Sequence, residues 1–461
     1  GEMASPEYVE QRLGSKRNYP IREQPAITPP PPHCRLFHLE YLARHGTRQP
    51  TDGKIETMQR LERTLQQYVA EGGTFAPDYQ WMATWKNPFV MGAEGLLTLE
   101  GEREQYETGK RMRKLYESVL DGPYNPRRLV FQETKKSRAG RSASSYSYAV
   151  LEGKGTFGEC AYAPAYIYSN DLETDRELRF FDVCQRYVEE VSDNKTAAIQ
   201  YFFFLPQLKP NAHALSIRLG VADTWNITAL EMEALWETCQ AEAGVNQDYT
   251  HFCSIWTTDD VTKLEYSKDL ESYWEQGYGH DINWLDAVDL FRSIFGNTVA
   301  AVDSYRSYLR QCGPYATESP DGDLFTCKDK LRDIPYQNSA HLRFAHAETL
   351  APALAWLELF DTPAAQMKFD TPPEIYEQRL WRESKIVTLS SNVALAAYTC
   401  ETPPSAVAAK GYEDILIKIL HNEDEVINPA CSQLYCTLDD VLKHYAFKLE
   451  VGFDELCTIE T

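Results

Sequence analysis

Cys34-Arg-Leu-Phe-His-Leu-Glu-Tyr-Leu-Ala-Arg-His-Gly-Thr-Arg-Gln-Pro50 is the stretch on which the fold turns. Its first nine residues, to Leu42, read as the first convincing strand of the chain. That strand delivers Arg44-His45-Gly46 to its carboxyl end. Open α/β sheets hold their ligand crevice at the carboxyl ends of strands, where helix N-termini also favour anions.

Two other stretches repeat the unit of strand, charged residues and helix. Arg128-Leu-Val-Phe-Gln132 runs into Thr134-Lys-Lys-Ser-Arg138 and then a helix-like stretch from Ser142 to Leu151. His341-Leu-Arg-Phe-Ala345 is followed by His346-Ala347-Glu348. After it, Thr349 to Phe360 has helical spacing at Leu350, Leu354 and Leu357, with Pro352 tolerable only in the first turn. Three such junctions carrying Arg, His and Glu point to one shared site. The expected class is α/β, a central mainly parallel sheet flanked by helices with an inserted mainly helical domain.

The organisation expected around that sheet is as follows. Residues 1–32 form an irregular arm ending in the run Pro29-Pro-Pro-Pro32, and 33–151 with 297–461 form the α/β domain. Residues 152–296 form the helical insert. Within it, Thr228-Ala-Leu-Glu231 is a capping box opening a helix that stops near Gly244. Trp284, Val288, Phe291 and Phe295 share one helical face. Ile415 to Leu420 returns to a strand, followed by a polar turn at Asn422-Glu-Asp424.

Composition narrows the function. With 43% hydrophobic and 25% charged residues the chain is an ordinary globular protein, and its 461 residues can bury a sizeable core. No apolar run reaches the roughly 18 residues that a membrane span needs. The formal charge of −22 argues against nucleic acid as a partner, because phosphate backbones demand a broad basic face. A local basic pocket for a small polyanion remains compatible with it. Eleven cysteines without Cys-x₂-Cys spacing, and the acceptor patterns Asn194-Lys-Thr196 and Asn226-Ile-Thr228, favour a secretory compartment with any signal peptide already removed. The odd cysteine count leaves at least one thiol free or paired outside the chain. The dispersed histidines suggest no metal, and no cofactor is expected.

Arg44-His45-Gly46-x-Arg48-x-Pro50 carries the chemistry. Five specified residues at roughly 5% usage each coincide by chance in about one chain of this length in 10⁴. An imidazole nitrogen can attack a phosphoryl group in line and hold it as phosphohistidine. The phosphoryl oxygens then need fixed cations, which arginine's planar fork supplies best. Arg44 and Arg48 flank His45 closely enough for a tight turn to aim both at one phosphate, and Gly46 lets the backbone approach closely. Lys54, Lys135, Lys136 and Arg141 are candidates to neutralise further phosphates. His38 and His341 lie within strand patterns and read as packed or edge residues.

On these motifs the chain resembles the histidine acid phosphatases, a branch of the histidine phosphatase superfamily. Arg44 to Pro50 matches the signature loop, Arg138-x-x-x-Ser142-Ala143 looks like the second motif, and His346 falls where the family keeps a second histidine. Cys431 and Cys436 look similar to the family's C-terminal cysteine region. Most members have His-Asp at the third motif, whereas this chain has His346-Ala347-Glu348. That departure, the extension to Thr51 and Gly277-Tyr-Gly279 resemble the multiple inositol polyphosphate phosphatase branch. The resemblance implies His45 as nucleophile; Arg44, Arg48, Arg138 and His346 around the phosphate; and Glu348 as proton donor. It implies metal-independent hydrolysis of inositol polyphosphates, from the hexakisphosphate down. The alternatives are a phosphatase or mutase acting on small phosphates such as 2,3-bisphosphoglycerate, and a non-catalytic polyphosphate-binding protein. The oligomeric state is open at this level.

Overall fold

A computed structural model of the chain describes residues 1–154, 165–312, 316–318, 325–327, 339–401 and 403–459. At its centre lies an eight-stranded sheet. Its strands are β1 (Arg35–Arg44), β2 (Leu129–Glu133), β3 (Ile167–Ser169), β4 (Ala340–Ala345), β5 (Asn392–Thr399), β6 (Ile415–His421), β7 (Asp424–Glu425) and β8 (Tyr435–Thr437). They run in the order β8-β6-β5-β1-β4-β2-β3, with β7 folded back on β6. The pairings β1/β4, β4/β2 and β2/β3 are parallel, and the four among β1, β5, β6, β7 and β8 are antiparallel. The sheet expected to be mainly parallel is therefore mixed. The antiparallel side is visible at the β6–β7 turn, where Asn422 and Glu423 both take positive φ, the backbone of a tight hairpin.

The parallel half decides where the site lies. Arg44 of β1 sits beside Ala345 of β4, and Phe344 of β4 sits beside Glu133 of β2. The loops leaving these three strands therefore emerge side by side at one edge of the sheet.

Among the helices around it are α1 (Asp52–Ala70), α2 (Leu99–Leu115), α3 (Ser137–Leu151), α4 (Ala229–Asn246), α5 (Thr258–Gln276), α6 (Val288–Cys312) and α7 (Ala347–Trp356). One face of the sheet, through Leu39, Tyr41 and Ala43, packs with Met112 of α2 and Tyr146 and Val150 of α3. The other face joins Leu42, Leu395 and Ile417 to α7 and the apolar sides of α4 to α6. A register shift between Leu36 and His38 puts Phe37 in this second core, although Leu39 two residues on lies in the first. Being covered on both faces explains why eight consecutive residues of β1 are buried. His38 is paired with Glu40 at 2.8 Å inside that strand, and His341 bonds Gln132 and Asn297.

Several elements depart from the sequence reading. β3 falls inside the span 152–296 yet pairs with the sheet, and α6 crosses the expected boundary at 296. Trp284 sits in a separate short helix, Ile282–Leu285, while Val288, Phe291 and Phe295 share the buried face of α6. The arm expected to be irregular contains a helix, Pro6–Glu10, because Ser5 accepts from the Tyr8 N–H and Pro6 suits the first helical position. A further turn at Gly14–Lys16 follows. α7 begins directly after β4 with His346 as N-cap, so Pro352 stands in its second turn and not its first. The missing proline N–H leaves the Glu348 carbonyl without its helical partner. The capping box at Thr228 and Glu231 is present at the start of α4.

Among the described residues four disulfides form: the long-range Cys34–Cys400 and Cys184–Cys457, and the local Cys239–Cys253 and Cys431–Cys436. Among the described residues no helix is long and apolar enough to cross a membrane.

Candidate active site

The three loops open into a cavity of about 350 Å³ at the carboxyl ends of β1 and β4. Arg44, His45, Arg48, Arg138, His346 and Glu348 all line it, so chain segments far apart in sequence meet there.

The loop after β1 is held by bonds to every side. His45 N–H donates to the Ala345 carbonyl at 2.9 Å, and Gly46 N–H donates to Ser142 Oγ at 3.0 Å. Glu104 of α2 accepts from both the N–H and the hydroxyl of Thr47, at 2.9 and 2.7 Å, and from Ser390 Oγ at 2.8 Å. The adjacent Gln105 donates to the Arg44 carbonyl at 2.9 Å. Gly46 is needed for clearance: a Cβ there would lie 2.4 Å from the Gly101 carbonyl oxygen at the start of α2.

His45 is buried, and its Nδ1 lies 2.8 Å from the Gly46 carbonyl. A carbonyl only accepts, so Nδ1 carries the proton and Nε2 keeps its lone pair. Burial, then Arg44, His346, Arg48 and Arg138, push its pKa well below the ordinary imidazole value. The shift favours the neutral, nucleophilic ring. The His346 ring stands edge-on to it, with centroids 5.4 Å apart.

The arginines are unusual in lacking carboxylate partners. Among the described residues, Arg44, Arg48 and Arg138 form no ion pair, and the Nε of each is buried without a hydrogen bond. Arg44 is fixed instead by the carbonyls of Val387, at 2.8 Å, and Ser15. Burial, with repulsion from Arg138 and, for Arg48, from Arg44, lowers both to about 10 against the pull of Glu348, which leaves both charged at neutral pH. Cations held without direct ion pairs around a bare imidazole nitrogen form a receptor for an anion that the nitrogen can attack.

Glu348 is in the first turn of α7. Burial raises its pKa, but His346, its own backbone N–H, Arg44 and Lys16 outweigh that and hold it below the ordinary carboxyl value. Without a bound anion it is a carboxylate.

Of the lysines suggested by the sequence, Lys54 lines the cavity, where it pairs with Glu237 at 2.6 Å. Lys135 does not line it. Its ammonium points outward to Asp171 at 2.7 Å, because neighbouring residues of extended chain face opposite ways and Thr134 takes the inward side, against His346. Arg141 likewise faces out, paired with Glu102. Sequence reading missed Lys16, which reaches the cavity from the N-terminal arm. Burial with Arg48 and Arg44 brings its ammonium down to about 7. It also missed Arg179, whose Nη1 lies 3.0 Å from His346 Nε2. No local pattern marks either residue. Glu104 could have been suspected only as a charged residue on an otherwise inward-facing helical stripe.

The sequence profile of the histidine phosphatase superfamily (branch 2) matches residues 35–422. The multiple inositol polyphosphate phosphatase 1 of Dictyostelium discoideum is 28% identical over 433 residues, covering 88% of this chain; the chain spans 65% of that relative's own length. The protein of the same name from Gallus gallus is 25% identical, over 93% of this chain and 86% of its own. The solved structure of Bifidobacterium longum multiple inositol polyphosphate phosphatase with inositol hexasulfate superposes over 97% of this chain and 100% of its own, with a TM-score of 0.66 and 16% identity. With the matched profile spanning all three loops that build the cavity, this chain belongs to the histidine phosphatase superfamily, branch 2.

Proposed function

We propose that the chain is a metal-independent phosphomonoesterase that hydrolyses inositol polyphosphates through a phosphohistidine on His45. The observation that carries this reading is the His45 ring itself. Its Nδ1 is engaged by the Gly46 carbonyl, and its free Nε2 sits among arginines with no carboxylate of their own. Substrate class follows from the relatives named for this activity, and Lys16 and Lys54 line the cavity beyond the arginines, where they can meet further phosphates.

His45 Nε2 attacks phosphorus while the bond from phosphorus to the inositol oxygen breaks. Arg44, Arg48 and Arg138 hold the non-bridging oxygens, where charge develops. Glu348 gives its proton to the departing oxygen. Water then attacks the phosphohistidine, Glu348 takes a proton from it, and phosphate and neutral His45 are released. Glu348 begins this cycle protonated because the arriving phosphate neutralises the cations that keep the empty site's carboxylate ionised, and adds its own repulsion.

A secretory location fits the four disulfides, the lack of a membrane-crossing helix among the described residues, and the exposure of Asn194 and Asn226. An endoglycosidase-sensitive mass on protein made in eukaryotic cells supports it; an unmodified mass counts against the glycan.

The decisive experiment is phosphate release from inositol hexakisphosphate between about pH 3 and 8, with and without EDTA, for the parent and His45→Ala. EDTA-resistant release abolished by the substitution is expected. No release by the parent overturns the substrate assignment, and release only from 2,3-bisphosphoglycerate, or its isomerisation, moves the reading to the small-phosphate alternatives.

A further inference from the structure

His346 Nε2 has two neighbours, Thr134 Oγ1 at 2.9 Å and Arg179 Nη1 at 3.0 Å. A hydroxyl can donate or accept, but a guanidinium only donates. A nitrogen that accepts from arginine carries no proton, so the proton of a neutral His346 ring is on Nδ1. Taking the cavity as the phosphoryl-transfer site argued above, we propose that Arg179 is a positioning residue. It fixes His346 in the Nδ1–H tautomer, as a neutral donor to the oxygens of the transferred group.

Arg179 is itself well anchored. Its side chain is 11% exposed and pairs with Asp182. Its N–H donates to the Asp175 carbonyl at 3.2 Å, and Asp175 Oδ1 accepts from the Leu178 N–H at 2.9 Å. The Leu178 carbonyl accepts from Thr349 Oγ1 of α7 at 2.7 Å, which ties this segment to the helix that His346 caps. The groups facing His346 are Glu348 on α7, Arg138 on α3, Arg179, Arg44 at the end of β1, and His45. Burial, opposed by Glu348 and reinforced by the three arginines, brings His346 down to about 3, so in the empty site the ring is neutral at weakly acidic and neutral pH. A neutral ring needs a specified tautomer, whereas an imidazolium would donate from both nitrogens.

The test is long-range ¹H–¹⁵N NMR on the full-length, histidine-labelled protein without ligand, for the parent, Arg179→Met, Arg179→Lys and Thr134→Val. His346 is expected as Nδ1–H in the parent, Arg179→Lys and Thr134→Val. In Arg179→Met it shifts towards Nε2–H, because Thr134 can then accept. In phosphate release from inositol hexakisphosphate, Arg179→Met is expected to lower kcat about 10–100-fold, the usual scale for groups that orient a functional histidine. KM changes less, and Arg179→Lys restores most of the loss. An Nε2–H ring in the parent overturns the proposal even if Arg179→Met does not fold. So does an unchanged tautomer in Arg179→Met, or a loss confined to KM, which would mark Arg179 as a direct substrate contact. A parent that releases no phosphate but shows the Nδ1–H ring refutes the functional reading and leaves the tautomer assignment standing.

Discussion

In the proposed mechanism His45 and Glu348 divide the chemistry between an imidazole that must be neutral and a carboxyl that must be protonated when the inositol oxygen departs. The first condition is built in, since burial and four cationic or imidazole neighbours keep His45 from protonating. The second depends on substrate, since the empty site favours carboxylate at Glu348. Glu348→Gln is therefore expected to reduce kcat on an inositol phosphate by roughly 10²–10⁴-fold, the range for one general acid. With p-nitrophenyl phosphate, whose leaving group needs no proton, formation of the phosphohistidine is largely spared. Rapid-quench measurement of that step with both substrates checks this; equal losses would remove Glu348 from the acid role. At this scale the sequence was informative wherever a residue belongs to a contiguous motif, as do Arg44, His45 and Arg48. It said nothing of Lys16 or Arg179, because no local pattern distinguishes a cation that turns inward from one that solvates.

Among the elements, α4 shows how placement on a helix alters an acid. Its Glu242 is 2% exposed and accepts from Trp85 Nε1 at 2.8 Å and from the Phe252 N–H at 3.1 Å. Burial nevertheless outweighs these bonds and raises it to about 7. A carboxyl raised in the fold binds its proton more tightly folded than unfolded. Its stabilising effect is thus present below about 4.5 and is lost as pH rises towards 7. Glu242→Gln cannot ionise, so the parent should lose stability relative to it across that window, by on the order of 1–3 kcal/mol, and run parallel above it. Urea denaturation of both proteins at pH 4.5, 6 and 7.5 checks the sign; a constant difference would mean that Glu242 titrates normally. The start of α4 was readable because a capping box is a local pattern. The true start of α7 was not, since a single residue separates it from β4 and the apolar spacing alone placed the helix later.

For the whole molecule, closure matters more than any one element. Cys184–Cys457 joins residues 273 apart and fastens the C-terminal segment to the start of the helical region. Replacing both cysteines by serine is expected to cost about 2–5 kcal/mol, mainly by freeing the unfolded chain. The catalytic loops hang on the sheet and not on this bridge, so kcat should hold at temperatures where the variant is folded. Thermal unfolding and phosphate release measured together check both halves, and an unchanged Tm would show that the bridge constrains little.

By itself the sequence determined the α/β character, the three strand-to-loop junctions and the arginine–histidine motif that one of them carries. These rest on apolar periodicity and contiguous motifs, which are properties of neighbouring residues. Only the tertiary structure decided the antiparallel half of the sheet, because the order in which strands pair is fixed by long-range packing that no single strand encodes. Only it could turn Lys135 outward, bring Lys16 in from the arm and set Arg179 on His346, for each depends on which way a side chain faces once distant segments meet. The protonation states followed last: burial and the converging arginines, which exist only in the folded cavity, favour a neutral His45 and an ionised Glu348.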